Sequence, residues 1–562
     1  MASRLLARPV DAPQRRASRY VGSLRSRLRT VRCIGCGSRL ADDICKRCGS
    51  KRRLSAPEWI DLLADAGSFA PLDTELLDAD PLGYADEVPY RERIREARLK
   101  TGVDESVVVG RARLSGRPIV LVVFDFRFFG GSVGVAAGER IVRAFLAAAS
   151  ERRQLVMVVT SSGARMQEGL ASLFQMARTT AAVSVLRRSR TAFVAVLGDP
   201  TTGAPFASCA NLADVVLAER GALIGFAGPR VVAALTGMAS EGTRAEELLG
   251  SGAVDAVLPR GALRASLTEL LPLLEPRGAS SGSTEAVALP DPAPTADRWG
   301  LVEAIRQPTW PTGAHWLAEL SDRSYGFHGD RVGSDDPALV CALAEISGRH
   351  VVVLAQDRTA GDGLIGPAGY RKALRVLRIA ARLRLPVLSL VDTPGATVGP
   401  DADRGDIAYW VAECFIALLE LPVPVVSLVV GQGSSGGALA LSVGDRTYML
   451  EQSMFSVMAP EGTAAILGRD PRALAEMCDK LKLSAADAFV LGLVDGVIPG
   501  HEDGRRARAA AVRQTRTLLL SELGRLAALD GEELVARRRQ RYLELTRHLL
   551  LSDPPTPSLP AA

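Results

Sequence analysis

The sequence predicts an α/β protein in which one fold occurs twice in tandem, preceded by a small metal-binding ribbon. Short apolar runs alternate with helical periodicity along most of the 562 residues, a pattern typical of strands joined by crossover helices. Several motifs of the first half recur in the same order in the second half. Four cysteines near the amino terminus have the spacing of a tetrahedral zinc site.

Uninterrupted apolar runs predict buried strands, and apolar residues three or four positions apart predict helices. Ser55 starts an early helix, because it is followed by a proline and then by Glu58, which completes a cap. In the first half, strands are predicted over 107–109, 119–124, 155–160 and 192–197, and helices over 139–151 and 166–187. In the second half, strands are predicted over 351–355, 387–391 and 425–430.

The internal repeat rests on four pairs of segments that keep their order along the chain. Residues 160–164, 213–214, 222–229 and 252–257 correspond to residues 392–396, 444–445, 453–460 and 492–497. Four ordered correspondences indicate that a single fold is used twice.

Composition and patterning divide the chain into six parts. A stretch rich in proline, glycine and serine separates the two α/β regions and has the composition of a linker. The predicted parts are a flexible basic amino terminus (1–30), a zinc ribbon (31–52), a first α/β domain (53–272), the linker (273–299), a second α/β domain (300–525) and a helical tail (526–562).

The composition is that of a folded, soluble protein. Hydrophobic residues make up 47% and charged residues 23% of the chain, which excludes disorder over most of its length. No window of about 18 uninterrupted apolar residues occurs, so no membrane-spanning helix is expected. A secretory signal is also not found, and we expect a cytoplasmic protein. The remaining four cysteines lie in apolar surroundings and are expected in the core.

Cys33, Cys36, Cys45 and Cys48 form two C-x2-C pairs separated by eight residues. Two such knuckles can surround one Zn²⁺ with four thiolates, which leaves no ligand position for a catalytic water. The motif therefore predicts a structural zinc ribbon. Two disulfides or a redox pair are the alternative interpretations.

Each half contains a strand that runs into a glycine-rich turn and then a helix, over 192–205 and 425–438. Small residues let backbone N–H groups approach a ligand, and the helix start adds free donors. Such a turn can bind phosphate or stabilise an oxyanion formed during a reaction. The alternative is that these glycines only permit close packing.

The second turn also matches two short motifs of other chemistry. It contains the G-x-G-x-x-G of dinucleotide sites and, through Ser435, the G-x-S-x-G of nucleophile elbows. The dinucleotide match has no counterpart in the first half, and none of the five histidines lies in a glycine-rich turn to activate Ser435. Oxyanion stabilisation is therefore the favoured hypothesis.

These residues resemble a known family, the bacterial acetyl-CoA carboxylase carboxyltransferases. The first half resembles the β subunit and the second half the α subunit, so the chain resembles a fusion of the two over about residues 31–270 and 300–545. The resemblance to the β subunit rests on residues 33–48, 129–134, 162–168 and 222–230. The resemblance to the α subunit rests on residues 329–331, 369–374, 392–396, 435–440 and 459–462.

The resemblance implies two crotonase-like domains that face each other, with the active site between the halves of a homodimer. It implies transfer of carboxylate from N-carboxybiotin to acetyl-CoA, giving malonyl-CoA. In that chemistry carboxybiotin releases CO₂, its ureido anion takes the α-proton of the thioester, and the enolate attacks CO₂. Biotin carrier protein and biotin carboxylase would be separate chains, because this chain has no Met-Lys-Met attachment sequence.

The resemblance also assigns residues to the two turns. Gly203 and Ala204 would hold the thioester oxygen, and Gly436 and Gly437 would hold the biotin carbonyl. Arg371 matches a position expected to pair with the malonyl carboxylate, a task that suits a planar guanidinium; its alternative is a helix-surface arginine. The other residues expected to bind substrate are Gly130, Gly131, Gly163, Ala164, Arg165, Gly228 and Gly395.

The chain departs from the family pattern at the first turn. Pro205 has no N–H to donate, and Ser162 replaces a usual glycine. These changes leave open a specialised acyl-thioester carboxyltransferase of secondary metabolism, or a malonyl-thioester decarboxylase that does not use biotin. A non-enzymatic hypothesis is a regulator that binds nucleic acid through its basic ribbon, although this segment has few aromatic residues for base stacking.

Overall fold

A computed structural model describes residues 52–72, 80–237, 242–276, 285–466, 474–500 and 505–545. The predicted basic amino terminus and the four cysteines of the predicted zinc ribbon lie outside the described residues, as does the end of the predicted tail. Within the described part, no helix is both long enough and apolar enough to cross a membrane.

Each half is built on a mixed eight-stranded sheet. The order of the first sheet is β1-β2-β3-β4-β5-β6-β8, with β7 pairing with β5. The two pairings β1–β2 and β2–β3 are antiparallel, and the others are parallel. Its strands are β1 (Ala70–Pro71), β2 (Val107–Leu114), β3 (Arg117–Phe124), β4 (Gln154–Ser161), β5 (Phe193–Thr202), β6 (Val215–Glu219), β7 (Ile224–Gly225) and β8 (Ala256–Leu258).

The second sheet repeats this arrangement, with the order β18-β16-β15-β13-β11-β10-β9 and β17 pairing with β15. A separate two-stranded sheet pairs β12 with β14. The strands are β9 (Arg323–Phe327), β10 (Leu339–Ile346), β11 (Arg349–Gln356), β12 (Leu364–Ile365), β13 (Val387–Thr393), β14 (Gly395–Ala396), β15 (Val425–Ser434), β16 (Arg446–Leu450), β17 (Met454–Ser456) and β18 (Gly496–Ile498).

Helices cover both faces of each sheet, as parallel strands require. Those of the first half are α1 (Ala56–Leu63), α2 (Tyr90–Thr101), α3 (Val135–Glu151), α4 (Gly169–Leu173), α5 (Gln175–Arg188), α6 (Ala204–Ala207), α7 (Pro229–Thr236), α8 (Ala245–Gly250) and α9 (Leu263–Leu273). Those that follow are α10 (Arg298–Ile305), α11 (Gly313–Leu320), α12 (Pro367–Leu383), α13 (Pro400–Arg404), α14 (Ile407–Leu419), α15 (Ser435–Ala440), α16 (Pro460–Ile466), α17 (Leu474–Leu481), α18 (Ala485–Val490), α19 (Arg505–Leu526) and α20 (Gly531–Glu544).

The predicted α/β class and the internal repeat are confirmed. Each predicted strand overlaps an observed one, because a continuous apolar run fits a strand that is buried on both faces. Every residue of β4 is buried, for example. The helix predicted from Ser55 is also confirmed. The Ser55 side chain accepts a hydrogen bond from the Glu58 N–H, and the Glu58 carboxylate accepts one from the Ser55 N–H.

The single helix predicted over 166–187 is wrong. This stretch is a short 3-10 turn (Met166–Glu168) followed by α4 and α5. Gly169 has φ 52° and ψ −131°, a conformation that interrupts a helix and that glycine adopts readily. Helical periodicity of the side chains does not report such a backbone break.

The two halves are joined through a buried carboxylate, Asp255, which lies just before β8. Its Oδ1 accepts hydrogen bonds from Arg375 Nη2 at 2.7 Å and the His328 N–H at 3.2 Å. Its Oδ2 accepts from Arg331 Nη2 at 2.6 Å and the Val216 N–H at 2.8 Å. Three of these four donors come from the second half, so this one side chain of the first half links several elements of the second half to β8.

The second half has an equivalent carboxylate, Asp495, just before β18. Asp495 accepts the Thr447 N–H at 2.7 Å, as Asp255 accepts that of Val216, and binds Arg541 Nη1 at 2.6 Å. Arg541 belongs to α20, as does the buried Arg538 that binds Asp445. The last described helix, α20, therefore supplies arginine partners to Asp495 and Asp445, as the second half supplies arginine partners to Asp255.

Candidate active site

The first turn is a close approach of two loops. One follows β4 and contains Gly163, with φ 120°, and the other follows β5 and contains Gly203, with φ 73°. A Cβ on Gly203 would lie 2.7 Å from the Gly163 Cα atom. Glycine at 203 is therefore required both by its backbone conformation and by the space between the loops.

Two backbone N–H groups of this turn have no acceptor among the described residues, those of Ala164 and Ala204. Gly203 was expected to hold the thioester oxygen, but its N–H donates to the Gly225 carbonyl at 3.2 Å. The Gly163 N–H is likewise occupied by Ser161 Oγ at 3.1 Å. The free donors of the first turn are therefore one from each loop.

Pro205 does not disturb this arrangement. It lies in the first turn of α6, where an N–H would have no intrahelical acceptor and where the fixed φ of proline suits the helix. The substitution removes one potential donor and leaves the Ala204 N–H in place.

The second turn repeats the geometry of the first. Ser161 pairs with Thr201 between β4 and β5, and Thr393 pairs with Gly433 between β13 and β15. This register makes Ser435 the counterpart of Gly203, and Gly436 that of Ala204. Gly395 has φ 138°, and its N–H donates to Thr393 Oγ1 at 3.0 Å, as Gly163 donates to Ser161.

Gly436 and Gly437 differ in their surroundings. No other described atom would lie within 4 Å of a Cβ on Gly436. A Cβ on Gly437 would lie 2.5 Å from Ala396 N and 2.7 Å from the Tyr370 hydroxyl oxygen. Gly436 therefore faces open space, and Gly437 is glycine because the loops pack closely behind it.

The other predicted glycines support these loops. Gly130 and Gly131 have φ near 65°, and the Gly130 carbonyl accepts the Ser162 N–H at 2.8 Å. A Cβ on Gly131 would lie 2.0 Å from the Thr160 carbonyl oxygen. Gly228 precedes α7, and a Cβ on it would lie 3.5 Å from Thr202 Oγ1.

Arg165 is enclosed by protein, with 1% of its side chain exposed. Its guanidinium binds Glu105, and Nη1 also lies 3.2 Å from the Tyr90 hydroxyl and 3.4 Å from Glu168. Burial raises the pKa of Glu105, but the charge of Arg165 outweighs it, so this pKa lies below its ordinary value. The side chain ties the loop after Gly163 to the strands beneath it, and the substrate contact of Arg165 stays a prediction.

Arg371 is partly buried, with 19% of its side chain exposed. Its Nε and Nη2 atoms donate to the same Asp330 oxygen, at 2.8 and 2.6 Å, and its guanidinium lies 5.6 Å from the Trp410 ring centre. Asp330 further accepts three backbone N–H groups of its own loop. The structure thus gives Arg371 a protein carboxylate as its partner.

Asp392, at the end of β13, was not singled out from the sequence as a side chain with a role. Burial raises the pKa of Asp392 to about 6, against the opposing effect of Arg358. Asp392 accepts Arg358 Nη1 at 2.6 Å and the Gln432 N–H at 3.0 Å, and Arg358 also donates to the Trp310 carbonyl at 2.7 Å. These contacts fix the strand that leads into the second turn, and no sequence spacing indicates them.

Large apolar side chains are exposed beside both turns, at equivalent positions of the repeat. Met166 and Phe226 are 86% and 76% exposed in the first half, and Val398 and Val457 are 88% and 83% exposed in the second. We call these four residues the apolar rim. Large apolar side chains left this exposed beside a candidate site make these positions candidates for an interaction surface.

Comparisons with known proteins identify the family of both halves. A family profile described as "Carboxyl transferase domain" matches residues 50–257. A second, described as "Acetyl co-enzyme A carboxylase carboxyltransferase-like", matches residues 294–546. Among solved structures, transcarboxylase 12S has a TM-score of 0.66 at 22% identity, over 85% of this chain and 90% of that chain, which shows a shared fold.

Relatives of similar length carry both halves in one chain. A protein of Salinispora tropica named "Acetyl-coenzyme A carboxylase carboxyl transferase subunits beta/alpha" is 43% identical, over 91% of this chain and 95% of its own length. One of the same name from a Parafrankia species is 40% identical, over 94% and 93%. A "Probable biotin-dependent acyl-coenzyme A carboxylase beta3 subunit" of Mycobacterium bovis is 34% identical, over 87% and 98%. This chain is a carboxyltransferase and belongs to the family of fused β/α acetyl-CoA carboxylase carboxyltransferases.

Proposed function

We propose that this enzyme moves carboxylate from carboxybiotin, held on a separate carrier protein, to acetyl-CoA and so forms malonyl-CoA. The observation that carries the proposal is the duplicated turn, which in the first half presents two unpaired backbone N–H groups from facing loops. Donors placed in advance for a developing oxyanion stabilise the transition state of enolate chemistry. Two equivalent turns suit a reaction with two carbonyl partners.

In this proposal the two turns have different ligands. The N–H groups of Ala164 and Ala204 bind the thioester oxygen, and the open first turn of α15 around Gly436 binds the carbonyl of the carboxyl donor. Gly437 and Gly395 keep the second turn close to its neighbouring loop. Arg165 and Arg371 act as positioning residues through their buried carboxylate partners.

The residues of the turns contain no acid or base. Only glycine, alanine, serine, threonine and proline occur in segments 161–164, 201–205, 393–396 and 433–438. Carboxybiotin, when bound, supplies both the CO₂ and the ureido group that takes the α-proton. The chain itself then needs only to bind and orient the two substrates and to stabilise the oxyanion, which backbone donors can do.

We propose a homodimer in which the two rim residues of the first half, Met166 and Phe226, contact the two rim residues of the second half, Val398 and Val457, of another copy. Each pair of rim residues lies beside a turn, so this contact would bring the first turn of one copy next to the second turn of the other. Burial of four large side chains that are now mostly exposed supports the contact, at about 1.5–3 kcal/mol for each. Light scattering of the purified chain tests it, with a monomer at micromolar concentration as the contradicting result.

The cysteine spacing supports a further part of the proposal, one structural Zn²⁺ bound by Cys33, Cys36, Cys45 and Cys48. Metal analysis of the purified chain should give one zinc per chain. Cys33→Ser together with Cys36→Ser should abolish it. Zinc that survives this double substitution would contradict the assignment.

The activity is tested in the reverse direction, with malonyl-CoA and biocytin, by following the release of acetyl-CoA. Release that requires biocytin supports the proposal, since the reverse reaction needs a carboxyl acceptor. Release without biocytin would indicate the decarboxylase, and no release under either condition would refute the acetyl-CoA assignment.

A backbone donor can be removed to test the role of the first turn. Ala204→Pro deletes one N–H at the start of α6, where proline is tolerated, and should lower kcat about 10²–10³-fold. Ala204→Gly keeps the N–H and is the matched control, which should retain most activity. Equal activity of the two variants would show that this N–H is not a donor in the reaction.

A further inference from the structure

Ser435 has a backbone conformation that serine rarely adopts. It lies at the junction of β15 and α15 with φ 68°, in the left-handed region that favours glycine. Its counterpart in the first half is Gly203, which has φ 73°. The first half therefore has glycine at this position, whereas the second half has a serine in the same strained backbone conformation.

Strain of this kind is retained where the surrounding structure or a function requires it. Other serines with positive φ, such as Ser347 with φ 49°, lie in hairpin turns between strands. Ser435 instead lies between the two loops of the second turn, and a Cβ on Gly395 would be 3.2 Å from the Ser435 Cβ atom. The structure gives the Ser435 hydroxyl no hydrogen-bond partner among the described residues, and the residue is only partly buried. The hydroxyl is thus free to meet a ligand.

A strained serine between a strand and a helix is also the geometry of a nucleophile elbow, and Gly433, Ser435 and Gly437 complete the G-x-S-x-G sequence. A nucleophile needs a base within hydrogen-bond reach. The three histidines that the structure describes are hydrogen-bonded elsewhere, at Thr312, Leu249 and Glu275. An unactivated hydroxyl remains a good hydrogen-bond donor.

We propose that the Ser435 hydroxyl donates a hydrogen bond to the ureido carbonyl oxygen of the biotin group at the second turn. This inference deepens the proposed function and rests on it. The hydroxyl would add a side-chain donor to the backbone N–H of Gly436, whose neighbouring space is open. The first turn, which binds a thioester instead, carries Gly203 at this position and has no such hydroxyl.

The test compares Ser435→Ala with Ser435→Gly in the full-length chain. Both variants remove the hydroxyl, but only the glycine variant relieves the strain, so their stabilities should differ while their activities fall together. The expected result is a fall of about 10²-fold in kcat for biocytin-dependent release of acetyl-CoA in both variants. The Kd for malonyl-CoA, measured by calorimetry, should stay within twofold of the wild-type value. Ser347→Gly relieves positive φ at an exposed hairpin and is the control, with unchanged activity.

The outcomes separate this inference from the proposed function. A wild-type chain without biocytin-dependent activity refutes the proposed function itself. An active wild-type chain with equally active Ser435→Gly or Ser435→Ala variants overturns the inference alone. A weaker Kd for malonyl-CoA in the variants would place the hydroxyl at the thioester and would also overturn it. A covalent adduct on Ser435 after incubation with malonyl-CoA, detected by mass spectrometry, would make it a nucleophile and refute the donor role.

Discussion

The joint between the two halves permits a quantitative prediction, because Asp255 binds two arginines while it is buried. Burial raises the pKa of Asp255, and the charges of Arg331 and Arg375 outweigh this effect and hold the pKa below its ordinary value. Asp255→Asn keeps the shape of the side chain and removes its charge. Removal of one member of a buried ion pair typically costs about 3–5 kcal/mol, because the partner charge remains buried without compensation. Here two guanidinium groups lose their counter-charge, so we expect the upper part of that range.

The assay is urea denaturation of the full-length chain followed by tryptophan fluorescence. Glu139→Gln is the matched control, since Glu139 also binds two arginines, Arg143 and Arg178, but its side chain is 37% exposed. An exposed pair of this kind contributes about 0–1 kcal/mol. If Asp255→Asn lowers the free energy of unfolding by no more than Glu139→Gln does, the argument that burial sets the strength of the joint is refuted.

Three other perturbations address the second turn, the contact between α10 and α18, and the apolar rim. Gly437→Ala should lower the free energy of unfolding by about 1–3 kcal/mol, because the new Cβ would collide with backbone atoms. Gly436→Ala should leave the melting temperature unchanged. Equal melting temperatures of the two variants in calorimetry would contradict this. Arg298 and Ser484 hold the pKa of Asp487 at about 2, against the effect of burial. The stabilisation is therefore present above the unfolded pKa of about 4 and is lost as pH falls toward 2. Arg298→Ala should lower the free energy of unfolding by about 1.5–3 kcal/mol at pH 7, the range for hydrogen bonds to charged groups, and by less below pH 4. A loss that is constant with pH in urea titrations would refute the sign. Phe226→Asp should convert a dimer to monomer in sedimentation velocity, and an unchanged dimer would exclude Phe226 from the interface.

Much of the fold could be predicted because its signals are local. The apolar runs at 119–124 and 155–160 lie within β3 and β4, since a central parallel strand is buried on both faces and needs no partner to be identified. The repeat is visible because both halves place small residues where loops must approach. The glycine-rich segments after β5 and β15 locate the two turns in the sequence, and the structure adds the facing glycines, Gly163 and Gly395, which have positive φ.

The roles of individual side chains at the site were harder to predict. Arg165 and Arg371 lie in family motifs, but a motif does not say whether a guanidinium faces a ligand or a carboxylate of the same chain. Glu105 lies 60 residues from Arg165 along the chain, and Asp330 lies 41 residues from Arg371. Only packing brings such partners together, and it also decides that the Gly203 N–H is occupied while that of Ala204 is free.

The sequence by itself determined the α/β class, the duplication, the two turns and the family, because each depends on residue types at short range or on their order along the chain. The tertiary structure decided which donors are free, which arginines are enclosed, and how the halves are joined through Asp255. It also showed that Ser435 has a backbone conformation for which its first-half counterpart is glycine. These properties depend on distances between residues far apart in sequence. They also depend on burial, because a polar group that loses its partner costs little free energy at the surface and much more in the interior.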